Sequence, residues 1–178
     1  SLGANALSVQ CLREEHIPAV NDVLYRMRKH GIRCNLFVAG GYAPSPGEWD
    51  GTQLVRMITR GRWTGNPSLY AYDLLWEPHF GRYDSRSRYD EHWREWVEEQ
   101  YRSVEAAIED WGYAPDRLNA QLSGPKDDQL LNSGEWDRMA LAYRRFADDF
   151  ISRRYNQLRR TVRSVDPHHL IGVRTGWG

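Results

Sequence analysis

What most limits the folds open to this chain is its alternation of short apolar runs with longer amphipathic ones. Ala4–Val9 reads as a buried strand, and Glu14–His30 after it carries Ile17, Val20, Val23, Leu24 and Met27 on one helical stripe closed by Gly31. Ile32–Val38 is a second apolar run, followed by a Gly- and Pro-rich loop over 39–47 and a weaker helix over Gln53–Arg60. Leu69–Trp76 reads as a third strand, and Pro78 just beyond it lacks the N–H needed to continue a ladder.

The next stretch exceeds an ordinary strand-to-helix connection: a polar loop over Gly81–Tyr89, a helix near Glu91–Trp111 and a Gly-, Pro- and Asn-punctuated segment from Gly112 to Gly134. Trp136–Val165 is the clearest helix, with Trp136, Met139, Ala140, Tyr143, Phe146, Ala147, Phe150 and Ile151 on one face and Asp166-Pro167 at its end. His169–Arg174 is the fourth strand. Strands alternating with helices predict an α/β fold with a parallel sheet and right-handed crossovers.

Composition narrows the partners. The 24 basic residues balance the 24 acidic ones, so no net field draws the chain to nucleic acid or an anionic membrane. Among the basic residues only Lys29 and Lys126 are lysine, a bias that genome composition and a preference for bidentate ion pairs explain equally well. Eight Trp and ten Tyr make a carbohydrate ligand plausible, since flat rings stack on sugar faces, although aromatic packing within the core accounts for many of them. Cys11 and Cys34 lack metal-ligand spacing and read as buried free thiols. No apolar run reaches the ~20 residues of a membrane span. No targeting peptide is visible, which leaves secreted and cytoplasmic locations both open.

The run Tyr72-Asp73-Leu74-Leu75-Trp76-Glu77-Pro78 gives these elements a chemistry. With "SVDPHHLIGVR" at the last strand, it resembles the clan A glycoside hydrolases, the cellulase-like (family five type) (β/α)8 TIM barrels, whose fourth strand reads "YDLxNEP". The resemblance implies that the four strands are strands two to five, that residues 1–178 are about half of a catalytic barrel, and that about 81–135 is a long insertion after strand four. A complete barrel needs roughly 250 residues. It further implies a retaining hydrolase of β-linked saccharides with Glu77 as acid/base, no cofactor and no metal. The nucleophile, a Glu ending strand seven, would lie outside this chain, so the chain alone is expected to be inactive and to need the rest of the barrel or a second copy.

A Glu at a strand end suits this role, because glycoside cleavage needs one carboxylic acid to protonate the leaving oxygen and a second carboxylate across the sugar ring. Apolar neighbours Trp76, Pro78 and Phe80 favour the protonated form. Trp76 stands where the family has Asn, and Asn35 is either a substitute for that amide or a core residue. Tyr42, Trp49, His79, Arg174 and Trp177 follow strand ends and are expected, with Trp76, to line the sugar cleft. Arg174 reads equally as an ion-pair partner of Glu77. Asp73 shares the strand parity of Glu77 but reads as structural, and His168 and His169 read as helix-end and strand-lead residues rather than metal ligands. The alternative function is a non-catalytic carbohydrate-binding barrel, a pseudoenzyme.

Overall fold

A computed structural model describes residues 3–38, 51–76, 79–118 and 121–174. They divide into two compact units, residues 1–79 with 153–178, and residues 80–152.

The first unit is mixed α/β. Its sheet contains β1 (Ala6–Gln10), β2 (Arg33–Phe37), β3 (Leu69–Trp76) and β6 (Leu170–Arg174), all parallel, in the spatial order β1-β2-β3-β6. The strands thus lie side by side in chain order. Helices α1 (Ile17–Lys29) and α2 (Gly51–Gly61) and the last turns of α7 (Asp137–Arg163) supply the crossovers.

One core joins them. Ile17, Val20, Leu24 and Met27 of α1, Leu54, Met57 and Ile58 of α2, and Leu158 and Val162 of α7 pack with Cys34, Leu36, Tyr72 and Leu74. These strand residues alternate along β2 and β3, so they share one sheet face, and the helices of this unit cover that face. Burial there removes ~1.5–3 kcal/mol worth of apolar surface from water for each large side chain. Gly31 closes α1 at φ 66, the left-handed conformation a residue without Cβ adopts at least cost.

The second unit is helical apart from one short ladder. It contains α3 (Tyr83–Arg86), α4 (Asp90–Tyr101), α5 (Val104–Trp111), the antiparallel pair β4 (Arg117–Leu118) and β5 (Gln121–Leu122), α6 (Asp127–Leu131) and the first part of α7. Its core is aromatic: Trp93 stacks on Trp111 at 5.7 Å and 8° and on Trp96 at 5.5 Å and 19°, with Tyr143 and Phe146 against its edge.

Two sequence expectations need correction here. The expected polar loop Gly81–Tyr89 is α3 followed by a 3-10 turn over Ser87–Tyr89, because Asp127 Oδ1, far along the chain, accepts the Tyr83 N–H at 3.0 Å and pairs with Arg86 at 2.5 Å. The single helix expected near Glu91–Trp111 is two helices. Arg102 takes a left-handed φ of 72 and ends α4, and the Ser103 hydroxyl then caps α5 by accepting the Ala106 N–H at 3.1 Å.

Candidate functional site

Parallel strands deliver their C-terminal residues to one edge of a sheet, and loops leaving that edge are where α/β proteins place their chemistry. In the first unit this edge is formed by Phe37 at the end of β2, Trp76 of β3 and Arg174 of β6. Trp76 and Arg174 are register partners on adjacent strands, so two of the expected cleft positions are neighbours along the backbone. The Val38 N–H donates to the Asp73 carbonyl at 3.0 Å, tying the end of β2 to the middle of β3.

The register of β3 against β6 slips between Asp73, opposite Gly172, and Trp76, opposite Arg174. Three steps along β3 match two along β6, a bulge-like irregularity in the last residues of the strand. Such bulges re-aim the residues at a strand end. The expectation that Asp73 and Glu77 share a strand parity falls on a residue outside the described ones. Asp73 is itself buried at 3 % exposure.

Of the other expected site residues, His79 is exposed. Phe80, expected to contribute apolar surface beside Glu77, is half-buried in the aromatic core of the second unit, 4.9 Å from Tyr89 and 5.7 Å from Phe150 between ring centroids. Glu77 and Pro78, Tyr42 and Trp49, and Trp177 lie outside the described residues. Asn35 is half-buried on the sheet face opposite the helices, and its backbone carbonyl accepts the Ser8 hydroxyl at 3.3 Å.

The structure also assembles a polar cluster that residue-by-residue reading passed over. Asp166 is fully buried at the turn between α7 and β6. Its Oδ1 accepts the N–H groups of His168 and His169 at 3.0 and 3.2 Å, and its Oδ2 meets His169 Nδ1 at 2.6 Å. His169 Nε2 lies 3.1 Å from the Asn66 carbonyl, so the ring bridges the turn to the loop ahead of β3. Burial opposes ionisation of Asp166, but the hydrogen bonds from His169, Tyr72 and the two backbone N–H groups outweigh it and hold the carboxyl below its ordinary range. The signal was present in Asp166-Pro167-His168-His169, an Asp placed to capture N–H groups two and three residues on. The cluster is sealed from solvent and clamps the lead into β6.

Both cysteines are free and buried, as expected. Burial pushes the thiols of Cys11 and Cys34 up to about 11, against small opposing hydrogen bonds to backbone. Among the described residues, no group of three or more His, Cys, Asp or Glu is arranged to hold a metal, and no helix is long and apolar enough to cross a membrane. No protein-family model matches this chain, and no curated protein matches it significantly.

Proposed function

We propose that the chain is an arc of a (β/α)8 barrel, strands two to five, belonging to a retaining glycoside hydrolase in which Glu77 is the acid/base. The observation that carries the barrel reading is the strand order. Four parallel strands adjacent in chain order, with the helices of their unit covering one face, describe a singly wound sheet, whereas a doubly wound sheet reverses its order and places helices on both faces. Under this reading, residues 80–152 are elaborated on the connection between strands four and five.

The open sheet edges fit the same picture. Each of β1 and β6 has a single strand neighbour among the described residues, and Leu7 and Leu170 on them are 46 % and 63 % exposed. Further strands, from the rest of the polypeptide or from a second copy, would pair with those edges and bring the nucleophile.

In sequence Glu77 directly follows Trp76, the last residue of β3, and the C-terminal ends of the strands are where barrel enzymes hold their catalytic groups. In this role its carboxylic acid protonates the glycosidic oxygen as the bond breaks, and the carboxylate then takes a proton from water as the glycosyl-enzyme is hydrolysed. Tyr42, Trp49, Trp76, His79, Arg174 and Trp177 are the proposed sugar contacts. Kinetics with Glu77→Gln in the complete enzyme test the assignment. Turnover of alkyl or saccharide β-glycosides falls by ~10²–10⁴-fold, and turnover of nitrophenyl glycosides, whose leaving groups need little protonation, falls much less. Equal losses on both classes refute the proton-donor role. Saturable saccharide binding without turnover in the unsubstituted protein favours the non-catalytic reading.

A further inference from the structure

We infer that the cleft between the second half of α1 and the loop leading into β3 binds a phosphate or sulfate monoester. The cleft measures about 380 Å³, and Asn21, Tyr25, Arg28, Arg62, Asn66 and Ser68 are among its walls. Among the described residues no carboxylate lines it, whereas two guanidinium groups do. Their neighbours Arg26 and Arg60 are neutralised within the chain, by Asp22 at 2.9 Å and by Glu14 respectively. Arg28 and Arg62 have no carboxylate partner among the described residues. A concave site that concentrates uncompensated cations attracts an anion and holds it in forked hydrogen bonds.

Ser68 is a second, independent indication. It is 2 % exposed and lines the cleft, yet its hydroxyl has no hydrogen-bond partner among the described residues. Its backbone is saturated: the N–H donates to Asn66 Oδ1 at 2.9 Å and the carbonyl accepts the Cys34 N–H at 2.7 Å. A buried hydroxyl left over in a loop so fully bonded is a donor that rotation about χ1 toward the cleft would offer to a group the chain does not supply.

The loop is rigid enough to preorganise these donors. Trp63 is fully buried and donates its indole N–H to Asn21 Oδ1 at 2.7 Å, and the Asn66 carbonyl accepts the Leu69 N–H at 3.0 Å as well as facing His169. Arg62 adopts a left-handed φ of 52, a conformation that costs any residue with a Cβ energy and is retained where surrounding structure imposes it. Lys29 Nζ sits 4.5 Å from the ring centroid of Tyr25, adding a third cation beside the flat wall of the cleft.

Tetrahedral oxyanions fit this donor set better than a carboxylate, because two guanidinium forks, a hydroxyl and amide groups together exceed what two carboxylate oxygens accept. The volume leaves space for an organic group beside the anion, against Tyr25. All these donors lie at the N-terminal end of β3. Trp76 ends the strand seven residues further on, roughly 23 Å away at ~3.3 Å per residue. The inference is therefore independent of the glycosidase reading.

Calorimetric titration of the full chain with phenyl phosphate, inorganic phosphate and benzoate, at fixed ionic strength, tests it. The expected result is one saturable site that prefers phenyl phosphate to inorganic phosphate and both to benzoate. Arg28→Gln and Arg62→Gly each weaken phenyl phosphate by about tenfold or more, as expected for loss of one charge-assisted contact. Ser68→Ala weakens it several-fold. Arg62→Gly is the decisive variant: glycine relieves the left-handed backbone, so its Tm is unchanged or higher while binding weakens, an outcome that damage to the fold does not produce. Absence of saturable binding, undiminished affinity in both arginine variants, or benzoate binding as tightly as phenyl phosphate overturns the inference.

Discussion

The Tyr72 hydroxyl donates to Asp166 Oδ2 at 2.7 Å, joining the middle of β3 to the turn before β6 across 94 residues of sequence. Burial and the adjacent carboxylate push the Tyr72 phenol far above its ordinary range, so it remains a donor at any pH the fold survives. Removing the hydroxyl leaves Asp166 buried with one fewer donor. Tyr72→Phe is expected to cost ~1–3 kcal/mol, read by urea unfolding at neutral pH.

The same carboxylate makes stability depend on acid. Asp166 is held below the carboxylate range when folded and returns to ~3.9 when unfolded. A depressed folded value means that its contribution is complete above the unfolded pKa and is lost as pH falls through the folded one. Asp166→Asn should therefore be less stable than the unsubstituted protein at pH 7, and the gap should narrow below about pH 4. A gap that stays constant from pH 7 to pH 3 would show that the folded carboxyl is not depressed.

The two thiols should be inert in the native state. Both are fully buried and raised to about 11, so little thiolate forms at neutral pH and reagent has no path to it. Iodoacetamide at pH 7.5 is expected to label Cys11 and Cys34 only at the rate of unfolding, and fully in denaturant. Rapid native labelling followed by mass spectrometry would contradict the core placement.

Gly61 ends α2 directly beneath an indole. A Cβ there would lie 2.2–2.6 Å from ring atoms of Trp63, a side chain that is fully buried and hydrogen-bonded to Asn21. With nowhere for that ring to move, Gly61→Ala is expected to destabilise by ~1–3 kcal/mol, seen as a lower urea midpoint at unchanged slope.

Arg102 offers the opposite case. Its left-handed φ of 72 ends α4 where glycine is the usual occupant, and its side chain is exposed. Arg102→Gly is predicted to stabilise by roughly 1 kcal/mol through relief of the Cβ clash, measured as an upward shift in Tm.

Legibility followed the range of the forces involved. Leu69–Trp76 and the body of the helix running to Arg163 were readable because apolar spacing reports the buried face directly. The break at Arg102-Ser103 left a local trace, since Ser103 is a good N-cap, but uninterrupted helical periodicity on both sides masked it. The helical turn at Tyr83–Arg86 left none, because the carboxylate that organises it comes from Asp127. The proposed catalytic position was legible as Glu-Pro after an apolar strand. The arginine cleft was not, since its walls come from α1 and from a loop some forty residues later.

By itself the sequence determined the strands and helices of the first unit and that those strands run parallel, but not the helix boundaries within residues 80–118. Local periodicity and the lengths of the crossovers permit little else. The order of the strands, the register irregularity late in β3, the Tyr72–Asp166–His169 clamp and the pairing of cations with or without carboxylates were decided by tertiary structure alone. Each depends on which distant residues share a few ångströms of low-dielectric space, and no pattern within a helix turn or a strand repeat encodes that distance.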